Sequence, residues 1–310
     1  MIRSSNNSKS QNKTSKIFNS ISEFKVVKEI GKGAFSRVYE VININYKKVF
    51  ALKRIDMKAL TLKDQENVYR EIKIHQKLKN EFVIKLIDWF EESGKINIIL
   101  EYIPEGNLFK LMNLKKLEET EIKYIFWQVC QVLKYLHSEN ILMRDLKPEN
   151  ILINSKLQIK LCDFGWACNS LNSSHCNEKA GTYAYMSPES LMGSRQEFSS
   201  DCWSVGILLY ELYFNKEPYE GKSCREQLKL IKEKNINFTK EIDKRAKNII
   251  IGLLQSNSNK RLTINELLNS SFLSEFKEKV INKNNLLLNN NIKEIENTNN
   301  NISIFTDSKY

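Results

Sequence analysis

Apolar residues recur with two different periods along this chain, and the change between them divides it. Over residues 24–27, 36–41 and 49–53 they come as short runs separated by polar turns, the pattern of β-strands. Over 62–79 the period lengthens to that of one helix, with Val68, Ile72, Ile74 and Leu78 forming much of an apolar face. Strands return over 83–89 and 96–102. Beyond Pro104 helical periods dominate, at 107–115, 119–138, 197–215, 223–233, 243–255 and 263–268. The pattern predicts an α+β chain in two lobes. A small β-rich lobe with one helix (24–103) is joined by a short link to a larger, mainly helical one (104–276). Residues 1–23 and 277–310 are rich in Asn, Ser and Lys and carry no apolar period, so both read as disordered tails. Within the second tail, Leu286-Leu-Leu288 is the one candidate for a short docking helix.

Composition changes the picture little. A chain of 310 residues can bury a two-lobed enzyme core, and 41% hydrophobic content is ordinary for a globular protein. The formal charge of +11 raises nucleic acid as a partner. Its distribution argues against that: the two tails hold +3 and +1, and the body intersperses Lys with Glu rather than forming a basic block. No apolar run approaches the ~20 residues of a membrane span, and nothing at the start reads as a secretory leader. Six cysteines, at 130, 162, 168, 176, 202 and 224, show no metal-binding pair spacing. The expectation is a cytoplasmic or nuclear protein with reduced thiols, bound to neither membrane nor nucleic acid.

Chemistry is concentrated in Met143-Arg-Asp-Leu-Lys-Pro-Glu-Asn-Ile-Leu-Ile153 and, ten residues on, Asp163-Phe-Gly165. Asp145 can orient a hydroxyl and receive its proton. Lys147 can neutralise charge on a moving phosphoryl group. Asn150 and Asp163 supply oxygen ligands for Mg2+. Such a set suits phosphoryl transfer from a magnesium nucleotide, where positioned charge does most of the catalysis. A chance Asp-rich loop is the competing reading, opposed by upstream partners in order and at suitable spacing.

These motifs resemble those of the protein kinases. The resemblance implies an ATP site built from Ile30-Gly31-Lys32-Gly33-Ala34-Phe35-Ser36 and Val38, lying between strands, where glycines let backbone amides approach phosphate. It places Lys53 on the α- and β-phosphates, paired with Glu71; Asp64 and Glu66 are alternative partners. It assigns the Glu101 carbonyl and Ile103 amide to the adenine edge, with Val38, Ala51 and Leu152 around the ring and Glu149 and Asn150 completing the nucleotide side. Met143 stands where the family has histidine, and with His75, Leu86 and Phe164 would fill an apolar stack. The loss of that histidine is the main support for a competing reading, an inactive scaffold.

The stretch Ala180-Gly-Thr-Tyr-Ala-Tyr-Met-Ser-Pro-Glu189 resembles the end of a kinase activation segment. The resemblance pairs Glu189 with Arg261 and gives Asp201 the backbone of the catalytic loop. Lys147 with Thr182 points to serine or threonine substrates. Glu149 and Glu211 occupy the positions of a pocket for arginine two residues before the target, or are simply solvated acids. Asn107 stands where some relatives carry an acid for an arginine one residue further out. Arg144 would grip an activating phosphate; Glu178 could stand in for that phosphate, or Ser170, Ser173 or Ser174 could carry it. Phe50-Ala-Leu-Lys-Arg-Ile55, Ile98–Leu108 and above all Asp163-Phe-Gly-Trp-Ala167 resemble the Aurora kinases. That implies a monomeric kinase acting on spindle, centrosome, basal-body or chromosome proteins, with an activator protein on the small lobe. Polo-like and other mitotic kinases are the alternative.

Overall fold

The computed structural model describes residues 16–171, 176–177, 180–233 and 235–276. They fall into two compact units. Of these residues, those up to Lys79 together with Ile84–Pro104 form the first; Asn80–Val83 and those from Glu105 on form the second.

The first unit is built on an antiparallel sheet of five strands: β1 (Phe24–Lys32), β2 (Ser36–Asn43), β3 (Val49–Asp56), β4 (Leu86–Glu92) and β5 (Lys95–Leu100), in the order β1-β2-β3-β5-β4. Its helix, α1 (Leu62–His75), starts at the side-chain cap of Thr61 on the Asp64 amide. The buried stripe of α1 is Val68, Glu71, Ile72 and His75, the i, i+3, i+4, i+7 face of a helix. Ile74 and Leu78, expected on that face, are only half-buried. Val68 and Ile72 pack with Ile55, Met57, Ile96 and Ile98. His75 is buried and sets Nε2 2.7 Å from the Ile84 carbonyl oxygen, a core role rather than a ligand's.

Three sequence expectations need correction here. Residues 83–85 do not begin β4; Val83 bridges to Leu161 and the Phe82 carbonyl accepts from the Leu161 amide, both in the second unit. The helix expected to reach 79 ends at His75. Residues 16–23 do not behave as a disordered tail. Phe18 is 1% exposed and meets Phe24, Tyr46 and Phe50 edge-on at 4.9, 6.2 and 5.7 Å. The Ile17 and Phe18 amides donate to Asp88 Oδ2 at 2.6 and 2.8 Å, and the Ser20 hydroxyl donates to Glu92 at 2.7 Å. The segment is therefore pinned to β4 by two carboxylates and plugged by one aromatic ring. The candidate docking helix at Leu286–Leu288 lies outside the described residues.

The second unit is mainly helical: α2 (Leu108–Leu114), α3 (Glu119–Ser138), α4 (Pro188–Leu191), α5 (Phe198–Phe214), α6 (Cys224–Glu233), α7 (Lys244–Leu253) and α8 (Ile264–Asn269). Two small ribbons, β6 (Ile141–Leu142) with β9 (Cys168–Asn169) and β7 (Ile151–Ile153) with β8 (Ile159–Leu161), bracket its loops. Helix α5 is apolar on nearly all sides and buried from Ser200 to Tyr213, as a central core helix must be. Against that background the buried polar residues Asp201, Ser204 and Glu211 stand out, because each must find partners. No described helix is long and apolar enough to cross a membrane.

Truncating Phe18 to alanine should cost about 3–5 kcal/mol of first-unit stability, the usual penalty for emptying a buried phenylalanine site. Denaturant titration of the full chain checks this; an unchanged midpoint would show that residues 16–23 contribute nothing to the fold.

Candidate active site

In the first unit, Lys53 lies in the middle of β3, opposite Val38 on β2 and Ile98 on β5. Its Nζ donates to Glu71 Oε1 at 2.6 Å, and both side chains are largely shielded from solvent. Helix geometry selects Glu71 from the three candidate acids. It shares the buried face of α1, whereas Glu66 is exposed and Asp64 is spent on the Thr61 cap. The β1–β2 turn closes by a 2.8 Å bond from the Gly33 amide to the Ser36 carbonyl. It leaves Ile30, Lys32, Gly33, Ala34 and Phe35 exposed, with Gly31 and Ser36 half-buried. A strand–turn–strand of this kind differs from a dinucleotide loop, which opens a helix. Val38 on β2 is half-buried and Ala51 on β3 is buried, while Glu101 and Ile103 follow the end of β5. Glu101 is fixed there by reciprocal bonds with Lys85, its amide to the Lys85 carbonyl at 3.0 Å and its carboxylate to the Lys85 amide at 2.7 Å.

In the second unit, the loop between β6 and β7 carries the reactive set. Asp201, fully buried near the start of α5, accepts from the Met143 amide at 3.0 Å and the Arg144 amide at 2.9 Å. His137, at the end of α3, sets Nε2 2.9 Å from the same carboxylate. Arg144 takes a left-handed backbone, φ 65°, and its Nε donates to the Trp166 carbonyl at 2.6 Å. Met143, in the family's histidine position, is completely buried. The loop is thus held through its backbone.

Asp145 is the centre of the set, 4% exposed. Its Oδ1 accepts from the Thr182 amide and hydroxyl, both at 2.9 Å. Its Oδ2 accepts from Asn150 Nδ2 at 2.9 Å and lies 3.0 Å from Lys147 Nζ. Lys147 also donates to the Thr182 hydroxyl at 2.6 Å. Thr182 can reach Asp145 only because Gly181 precedes it: φ there is +94°, and a Cβ would run into the Arg144 carbonyl. Asn150 gives a second bond to the Asp145 main-chain carbonyl at 2.9 Å. With both amide hydrogens directed at Asp145, its carbonyl oxygen is left as an oxygen ligand. Asp163, at φ 61°, is exposed, with Oδ1 3.3 Å from the Gly165 amide. An amide oxygen and a carboxylate are the hard donors that Mg2+ takes. Leu152 is half-buried on β7 beside Ile151 and Ile153.

The segment after Gly181 is anchored twice. Glu189 binds Arg261 at 2.8 and 3.1 Å, and the Ser200 hydroxyl donates to Glu189 at 3.1 Å. Burial pushes the Glu189 carboxyl up, but the Arg261 guanidinium more than reverses this and leaves it below the usual range. Arg261 also donates to the Ser199 and Gln255 carbonyls and lies 5.2 Å above the Trp203 ring. Ser187, in place of the family's alanine, is buried and caps α4 through Ser190.

The other anchor is Tyr185, whose hydroxyl donates to Glu211 on α5. Burial, with Glu217 and Glu149 nearby, pushes the Glu211 carboxyl up to about 7 despite that bond. Glu149 itself is exposed. Glu211 is therefore no solvated surface acid, whereas Glu149 is accessible. Asn107 caps α2 and donates to the Glu149 carbonyl at 3.2 Å. Glu178, Ser173 and Ser174 lie outside the described residues.

Sequence reading did not find His137, Tyr185 or the triple role of Thr182. One signal was available for His137: the chain has only three histidines, and this one closes an apolar helix. Tyr185 offered none, because its partner lies 26 residues away on another element.

Replacing Arg261 with alanine leaves the half-buried Glu189 carboxylate without its guanidinium and with the Ser200 hydroxyl as a remaining donor, which should cost about 1–3 kcal/mol. Denaturant unfolding of the second unit measures it. A change below about 1 kcal/mol, the range of exposed pairs, would show that the pair does not anchor the segment.

Residues 24–273 match the family model described as the protein kinase domain. The Aurora kinase of Eremothecium gossypii is 32% identical over 249 residues, covering 80% of this chain and 68% of that protein. Drosophila melanogaster Aurora kinase B is 34% identical over 247 residues, 78% of this chain and 74% of that protein. The serine/threonine-protein kinase polo of the same fly is 33% identical over 253 residues, 81% of this chain but 44% of that protein. A hydroxyl-holding carboxylate with its lysine and asparagine, on a chain matched over this whole span, places the protein in the protein kinase family, as a serine/threonine kinase.

Proposed function

We propose that this kinase transfers the γ-phosphoryl group of ATP to serine or threonine hydroxyls of protein substrates in an Aurora-like role. One observation carries the catalytic reading: the Asp145 carboxylate is held by donors on both oxygens, one of them a hydroxyl. The bond that Thr182 makes to Oδ1 is of the kind a substrate hydroxyl must make. In the reaction the substrate oxygen forms its bond to the γ-phosphorus, Asp145 receives the hydroxyl proton, and the bond to the β-phosphate oxygen breaks. Lys147 neutralises charge on the transferring group. Lys53, held by Glu71, would face the α- and β-phosphates. Asn150 and Asp163 would hold Mg2+, which supplies charge neutralisation at the phosphates.

Aurora and polo relatives are level in identity, so the finer reading rests on particular residues. Trp166, directly after the glycine of Asp163-Phe-Gly165, is the main one. On this reading the chain acts as a monomer on the spindle, centrosome or basal body, in cytoplasm or nucleus, with an activator protein on the first unit. The scaffold reading loses its main support, because the Met143 and Arg144 amides bond directly to Asp201, so this anchor does not call for an imidazole at position 143.

Incubation with magnesium ATP and a serine peptide should yield phosphopeptide. Asp145→Asn should lower turnover by about 10²–10⁴-fold, the usual contribution of a positioned proton acceptor, with nucleotide binding retained. Equal rates from the two chains would overturn the assignment.

Glu211 and Glu149 give a substrate preference with a pH signature. A peptide arginine two residues before the target requires Glu211 charged, and its carboxyl titrates near 7. Preference for arginine over alanine there should therefore rise from about pH 6 to about pH 8. Glu211→Gln should flatten that rise. Stability has the opposite sign. The folded carboxyl holds its proton above the ordinary 4.5, so this group favours folding at acid pH and costs stability as pH rises towards 7. Equal rates for both peptides across this range would exclude the pocket.

A further inference from the structure

Cys168 and Cys176 place their sulphur atoms 3.3 Å apart, both completely buried. They lie eight residues apart in the segment between Asp163 and Glu189, and each is fixed from outside the pair. Cys168 opens β9 and pairs with Leu142 on β6, next to the catalytic loop. Cys176 accepts from the Gln196 amide through its carbonyl at 2.9 Å. Ser170 is tied as well: its amide donates to the Asn140 carbonyl at 2.8 Å, and Arg195 donates to its carbonyl at 3.1 Å. Around the thiols are Leu142 and Phe198. Among the described residues no cluster of three histidines, cysteines or carboxylates suited to a metal occurs.

We propose that Cys168 and Cys176 form a reversible disulfide, and that this bond locks the segment in the arrangement that sets Thr182 on Asp145. The sulphurs need approach by only about 1.3 Å to reach bonding distance, so the bond closes without undoing those contacts. A peroxide is the oxidant. One thiol gives up its proton and, as the thiolate, attacks a peroxide oxygen; the O–O bond breaks, a sulfenic acid forms, and the departing hydroxide takes up that proton to leave as water. The second sulphur attacks the sulfenic sulphur, the S–S bond forms, and a second water departs. Two thiols thereby give two electrons to one peroxide. Both sulphurs are shut off from solvent, and burial pushes the Cys168 thiol up to about 12, so docked Cys168 is protected. Oxidation proceeds through local opening of the segment, and redocking brings the second sulphur into place. A small dithiol reverses the bond by exchange. The bond itself is independent of the kinase reading; its effect on catalysis rests on that reading.

The test uses the full chain, fully reduced, then treated with hydrogen peroxide, denatured, alkylated with N-ethylmaleimide and digested with trypsin. Lys160 and Lys179 bound a tryptic peptide that holds Cys162, Cys168 and Cys176 together. After oxidation it should carry a single maleimide, on Cys162, and lack two hydrogens. Dithiothreitol before alkylation should restore three maleimides. Three maleimides after peroxide, or the single label on Cys168 or Cys176, would overturn the proposal. The oxidised chain should melt a few degrees higher than the reduced one, and Cys176→Ser should abolish that increment. It should also keep its phosphotransfer activity. An unchanged melting temperature, or activity lost on oxidation and regained with dithiothreitol, would refute the lock. Inactivity of both forms, with the disulfide mapped, would instead count against the kinase reading. The mapping needs no variant, so a misfolded mutant cannot obscure it.

Discussion

The carboxylate of Asp201 is the constraint on which the site depends. It sits inside a helix that is otherwise almost wholly apolar, with no exposed surface. A buried carboxylate without partners would be expelled or neutralised. Here it meets the two successive amides of Met143 and Arg144 and the ring of His137. These bonds hold the backbone of the catalytic loop through Arg144, whose left-handed φ a free chain would not favour. Asp145 follows directly. The core helix thus sets the position of the reactive carboxylate, while side chains around Asp145 only orient it.

The same logic recurs along α5. Ser204 donates to the Tyr185 carbonyl at 2.8 Å, and Glu211 accepts from the Tyr185 hydroxyl. Arg261 holds Glu189 and the Ser199 carbonyl at the start of the helix. One buried helix therefore carries polar anchors for both the catalytic loop and the segment that supplies Thr182. Such anchors add little net stability while intact but are costly to break. They act chiefly to specify a single arrangement. In the first unit, Glu71 and Lys53 follow the same rule at smaller scale.

Much of this was legible in the sequence, for identifiable reasons. Element types followed from apolar periods, which is why β1, β2, β3, α3 and α5 were found nearly in place. Glu71 was identifiable through the resemblance of its surroundings to the kinase helix, and the structure adds the physical reason, since it shares the buried face of Val68 and Ile72. Residues 16–23 were misread because a single buried ring, Phe18, makes no period; its partners Phe24 and Phe50 are distant in the chain. Residues 80–83 were assigned to the wrong unit because an extended stretch does not reveal which strand it will meet. The Tyr185–Glu211 and His137–Asp201 pairs join positions 26 and 64 residues apart, and nothing local marks either. Pairing of that kind is fixed by tertiary packing alone.

The most direct test is amide hydrogen exchange across residues 141–147 in Asp201→Ala, read beside phosphotransfer by the same sample. If Asp201 places the loop, exchange at Met143 and Arg144 should accelerate strongly while the middle of α5 stays protected. Turnover should fall about 10²-fold, the cost expected from slight misplacement of a catalytic group. Protection and turnover both unchanged would contradict the account, and show that the loop holds its geometry without the buried carboxylate.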